Sequence, residues 1–170
     1  MLYTSRCISD DDYAAASLFL LANRRSLHPS FSTMDVVQLL YSYITDGHLV
    51  QVTDENRRIV GLGAYYVGTP EQDFADKEVA FVDVAIAHPE YRGTKVFLTG
   101  LTYMVSCIRS DHPDVREMRL AALAENEYNC RLYAKFARFS HMREGLSGEE
   151  KVFRTGIDEI SAFLTKYYHV

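Results

Sequence analysis

Residues 80–93 read AFVDVAIAHPEYRG and run directly into residues 94–109, TKVFLTGLTYMVSCIR. The first part is an apolar, β-rich run that stops at Pro89. Arg92 and Gly93 follow in a short loop, and Phe97, Leu101, Met104, Val105 and Ile108 then recur at helical spacing. The pattern predicts a strand over 77–87, a turn, and a helix over 94–109. A strand that feeds a glycine-containing loop onto a helix presents the first-turn amides to an anion. It also puts the chemistry at the C-terminal end of that strand.

Outward from this centre the elements alternate. Residues 2–8 predict a strand, and Asp10 opens a helix to about Leu27 with Tyr13, Ser17, Leu20, Leu21 and Arg24 on one face. Ser32 with Asp35 forms a capping-box pattern ahead of Val36, Val37, Leu40, Tyr43 and Ile44, a second helix that Gly47 ends. The runs 49–53 and 58–67 are strands joined by Asp54-Glu55-Asn56, a hairpin signal. Gly61 and Gly63 in the second run mark a bend or a close approach of another segment. Downstream come a strand over 118–123, a helix from Glu125 or Asn126 through Phe136, a hairpin of 140–143 with 151–155, and a last helix from Asp158.

The chain of 170 residues is one ordinary domain's worth. Hydrophobic residues make up 48% and charged residues 24%, the balance of a soluble globule. The 18 basic and 23 acidic residues leave a net charge of −5, which argues against general nucleic-acid binding and for a cationic or neutral substrate. Cys7, Cys107 and Cys130 are odd in number and lack metal spacing, so they read as reduced thiols of a cytoplasmic protein with no metal. The N-terminal apolar run follows three acids where a signal peptide carries bases, and no stretch reaches the ~20 apolar residues of a membrane span.

The HPEYRG loop with its helix, and ENEYNCRLYAKFARF downstream, together resemble the GNAT (GCN5-related N-acetyltransferase) superfamily. That family's loop reads Q/R-x-x-G-x-G/A. Arg92 fills the first position, while Lys95 and Phe97 stand where the glycines belong. A second GNAT pattern, N-x-x-A-x-x-L-Y-x-K-x-G-F, is matched in register by Asn126, Leu132, Tyr133 and Lys135; Asn129 and Ala137 replace the alanine and glycine, and one extra residue precedes Phe139. The resemblance implies an α+β, GNAT-like domain over 1–170, with a mixed, mostly antiparallel sheet of about seven strands flanked by helices. The final helix is an addition to that pattern. It either packs internally, the reading we favour, or makes a homodimer contact.

The function implied is transfer of an acetyl group from acetyl-CoA, a cosubstrate, to a small-molecule or peptide amine. The resemblance assigns the diphosphate to the amides of Gly93, Thr94, Lys95 and Val96 with Arg92, and the thioester carbonyl to a backbone amide near Ile86 or Ala87. Asn126 would bond coenzyme or backbone, although a plain N-cap would look the same. Tyr133 would protonate the leaving thiolate, since a phenol of pKa near 10 stays protonated at neutral pH. Asp83, an acid inside an apolar strand, is the base candidate, with Glu78 and Glu125 as alternatives. The competing reading is a GNAT-fold module that binds without turnover, supported by Lys95 and Phe97. A nucleotide-binding α/β protein of another family would leave the Asn126–Phe139 match accidental.

Overall fold

In the computed structural model, residues 1–91, 93 and 95–167 are described. Arg92 and Thr94, both in the expected coenzyme loop, lie outside the described residues, as do 168–170. The elements are β1 (Tyr3–Arg6), α1 (Asp10–Ala22), α2 (Arg24–Leu27), α3 (Thr33–Thr45), β2 (His48–Thr53), β3 (Ile59–Val67), β4 (Val79–Ala87), α4 (Val96–Asp111), β5 (Glu117–Leu123), α5 (Glu127–Tyr133), β6 (Arg138–Gly145), β7 (Gly148–Gly156) and α6 (Ile157–Tyr167). The strands form a seven-stranded sheet in the order β1-β2-β3-β4-β5-β7-β6. The β4–β5 ladder is parallel, whereas β1–β2, β2–β3, β5–β7 and β7–β6 are antiparallel. This is the mixed α+β architecture indicated by the sequence. Backbone packing divides the chain into two units, Met1–Tyr66 with Val84–Met104, and Val67–Asp83 with Val105–Val170.

In the first unit, Ser9 rather than Asp10 caps α1: its Oγ accepts from the Asp12 amide at 3.1 Å, and the Asp12 carboxylate accepts from the Ser9 amide. Asn23 then ends the helix by donating from Nδ2 to the Phe19 carbonyl at 2.8 Å, so α2 is a separate turn instead of a continuation. The buried face of α1 is Ala16, Phe19 and Leu20, displaced from the face read around Tyr13 and Ser17. The Ser32–Asp35 capping box of α3 is present, and Val36, Leu40 and Tyr43 face inward. Between β2 and β3 the Asp54 carboxylate closes the hairpin, accepting from the amides of Asn56 (2.9 Å) and Arg58 (3.0 Å). The Arg58 amide and side chain hold that carboxyl below its ordinary pKa.

Gly61 and Gly63 serve a close approach. A Cβ on Gly61 would sit 2.7 Å from Val96 Cγ1, and one on Gly63 would sit 2.5 Å from Met104 Cε, so two bare positions on β3 seat the first part of α4. Val96 joins Val52 and Val60 in a small apolar cluster against which Leu2, Ala87 and Tyr91 pack. The start of α4 is thereby fixed to the sheet by side-chain burial.

In the second unit, β5 alternates buried Met118, Leu120 and Ala122 with half-buried Glu117, Arg119, Ala121 and Leu123. One face of β5 is therefore fully buried, and the other, which carries Arg119, mixes charged groups with the buried Phe81 and Val152 of its neighbours. The added helix α6 packs internally through Ile157, Ile160 and Leu164, and the Arg109 guanidinium donates to Ser161 Oγ at 2.7 Å. Among the described residues, no helix is long and apolar enough to cross a membrane.

Candidate active site

The loop that opens α4 belongs to the first unit. Gly93 has φ of +78°, the left-handed region that glycine enters at no steric cost, and a Cβ there would meet nothing within 4 Å. The requirement at Gly93 is thus conformational, not a matter of space. The Lys95 carbonyl accepts from the Thr99 amide at 2.9 Å, which makes Lys95 the cap and Val96 the first helical residue. The helix starts two positions later than the sequence pattern predicted. With 16 residues it carries a full macrodipole, positive toward this loop. Lys95 is exposed, while Phe97 lines an apolar cavity of about 30 Å³ under the helix with Val50, Ile86, Gly100 and Met104.

The other predicted groups lie in the second unit. Tyr133 is the last residue of α5 and is only 4% exposed. Its ring meets Phe153 edge-on at 6.1 Å between centroids. Burial, then Cys130 and Asp83, push the phenol above its ordinary pKa. Asn126 caps α5 by accepting from the Asn129 amide at 3.0 Å, the role that a plain N-cap has. Glu78 and Glu125 are both exposed, whereas the Asp83 side chain is 21% exposed and sits in an ion-paired cluster.

Strand register places Asp83 and Tyr133 on opposite faces. Phe81 pairs with Arg119 on the mixed face of β5, and Asp83, two residues on, points the same way. Tyr133 packs on Phe153, which pairs with Leu120 on the core face. The β4–β5 ladder runs from Val79↔Glu117 to Val82↔Leu120, so Asp83 is the first residue of β4 past its end.

Arg143 of β6 is the residue that sequence reading missed. Its Nη1 donates to Glu71 Oε1 at 2.9 Å; its Nη2 lies 3.1 Å from Glu150 Oε2 and 3.7 Å from Asp83 Oδ1. The guanidinium stacks 4.5 Å over the Phe81 ring. Burial raises the Glu150 carboxyl, Arg143 opposes the rise, and Asp83 and Glu71 add to it. These four residues come from β4, β6, β7 and the turn at Pro70–Gln72, and no local motif links them. Among the described residues, no three His, Cys, Asp or Glu side chains gather as metal ligands.

Solved structures similar to this chain cover nearly all of it. Arabidopsis thaliana NAA60, in complex with acetyl-CoA, aligns with a TM-score of 0.68 at 13% identity, over 93% of this chain and 99% of that one. Spermidine N-acetyltransferase from Vibrio cholerae, with CoA and spermine, gives 0.65 at 15% identity over 93% and 96%. The ribosomal-protein-S18-alanine N-acetyltransferase of Escherichia coli gives 0.67 at 14% identity over 92% and 94%. No family model matches the sequence, and no curated protein matches it either. Strand order, helix placement and the full-length alignments lead to one conclusion: this chain has the GNAT acetyltransferase fold.

Proposed function

We propose that the protein is an acetyl-CoA-dependent N-acetyltransferase that moves an acetyl group to a primary amine by direct attack. The observation that carries this reading is the pair Tyr133 and Asp83: a buried, protonated phenol and an ion-paired carboxylate on opposite faces of the sheet, at the end of the β4–β5 ladder. Three protein groups answer the needs of acyl transfer. The α4 N-terminus with Gly93, Lys95 and Val96, together with Arg92 and Thr94, offers amides and positive charge to the coenzyme diphosphate. Backbone at Ile86 and Ala87 takes the thioester carbonyl and pantetheine arm, and Asn126 supports that arm beside its capping role.

Asp83 accepts a proton from the acceptor's ammonium, directly or through water. The freed nitrogen bonds the thioester carbonyl carbon and gives up its second proton to solvent, the C–S bond breaks, and the sulfur leaves with the Tyr133 proton; solvent then reprotonates the phenolate and takes the proton from Asp83. Burial raises the phenol pKa, which keeps Tyr133 protonated wherever the amine is reactive and at the same time makes it a weaker acid. Relatives in fold are named for spermidine and for a protein alanine, so small polyamines and peptide N-termini are the acceptor classes to try. A second reading, a coenzyme-binding module without turnover, draws on Lys95 and Phe97 at the family's glycine positions.

Release of free CoA thiol from acetyl-CoA tests the proposal, with spermidine and an alanine-terminated peptide as acceptors. The expected result is saturable release above background hydrolysis with at least one of them. Background rates across a wide screen of amines, from a folded protein, would favour the binding module.

A further inference from the structure

We infer that Arg143 is the positioning residue for the base: it clamps Asp83, with Glu150 and Glu71 holding the guanidinium in place. The inference rests on the acetyltransferase reading and deepens it. Among the described residues, the Arg143 guanidinium meets Asp83 from β4, Glu150 from β7, Glu71 from the Pro70–Gln72 turn, and the Phe81 ring beneath. Tyr133 couples to Asp83 from the core face. Another cation, Arg119 on the mixed face of β5, is engaged by Glu117 at 2.7 Å.

Distances rank the partners. Glu71 at 2.9 Å and Glu150 at 3.1 Å take the close contacts, while Asp83 is held at 3.7 Å. A carboxylate in a tight bidentate pair with arginine is a poor proton acceptor, because the guanidinium stabilises its ionised form. A looser contact keeps Asp83 oriented and ionised without sequestering it. Glu150 and Glu71 are what keep the contact loose, since they occupy donors that Asp83 would otherwise claim. The arginine itself is held flat on Phe81 with a side chain only 14% exposed.

The hairpin sequence is adapted to this arrangement. The carboxylate of Glu150 lies against Gly145, where any Cβ would collide with it. Gly145 therefore leaves room for Glu150 to reach Arg143, two residues earlier on β6. A substituent there displaces the tip of a flexible side chain, so Gly145→Ala should leave the fold intact while moving Glu150 away from Arg143.

The test is the acidic limb of the kcat/KM–pH profile for acetyl-CoA with spermidine or the alanine-terminated peptide. A ¹³C NMR titration of the Asp83 carboxyl accompanies it and needs neither coenzyme nor acceptor. Removing the cation raises the pKa of Asp83, so Arg143→Met should move both the limb and the titration upward by about one pH unit. Arg143→Lys, which keeps the charge, should restore them. Glu150→Gln removes a like charge and releases Arg143 to Asp83, so both should move downward; Gly145→Ala should follow Glu150→Gln in direction. If Arg143→Met does not fold, the Glu150 and Gly145 variants decide. An Asp83 titration identical in all folded variants overturns the inference, even when the wild type releases CoA. Absence of CoA release from the wild type with any amine instead overturns the acetyltransferase reading on which it stands.

Discussion

Tyr133→Phe should lower kcat by about 10²- to 10⁴-fold, the usual contribution of a positioned general acid, while CoA affinity stays near that of the wild type. The phenol is buried against Phe136 and Phe153, and a phenylalanine fills the same space, so the variant keeps the ring packing and loses the hydroxyl. Burial pushes the phenol further up and so keeps it protonated through the alkaline range where free amine accumulates. A basic limb in the rate profile near neutrality would therefore not belong to Tyr133. Turnover in Tyr133→Phe equal to that of the wild type, measured by thiol release, would remove the residue from the mechanism.

The second large effect is expected at Gly61→Ala. A methyl there meets Val96 Cγ1 at 2.7 Å and Val52 Cβ at 3.5 Å, and Val96 is β-branched and stiff. Overpacking of this kind costs about 1–3 kcal/mol. The strain falls on the first residue of α4, whose amides are proposed to hold the diphosphate, so CoA should bind less tightly in a variant that still folds. Gly63→Ala is the control. Its methyl meets the flexible end of Met104, beside the apolar cavity that Met104 lines, with Val50 Cγ2 at an ordinary contact of 3.4 Å, and the expected change in melting temperature is small. Equal melting temperatures and CoA affinities for the two variants would contradict this account of the α4 seat.

Most of the architecture was legible because each element carries its own period and caps. The Ser32–Asp35 box, the Asp54 turn and the strand-loop-helix around Gly93 are local signals, and the structure has all three. The shifted boundaries have local causes too. Ser9 takes the cap expected at Asp10, Asn23 closes α1 on the Phe19 carbonyl, and Gly93 in the left-handed region delays α4 to Val96. The glycines at 61 and 63 announced a close approach without naming the partner, since only tertiary packing brings Val96 and Met104 there.

The Arg143 cluster was not legible, for a physical reason. Whether Arg143 faces Asp83 or the opposite side depends on strand register, and β6 shifts its register against β7 between Phe139 and His141. Glu71 lies 72 residues from Arg143 in a loop that reads only as polar. The role assigned to Tyr133 likewise came from a resemblance, and burial does not single it out, since Tyr43, Tyr65 and Tyr66 are buried as deeply.

The central claim is that this fold still grips coenzyme A despite Lys95 and Phe97. Calorimetric titration of the folded protein with CoA tests it without any knowledge of the acceptor. The account predicts saturable binding of one CoA per chain, weakened in Gly61→Ala and retained in Tyr133→Phe. No heat of binding and no thermal stabilisation at millimolar CoA would contradict it.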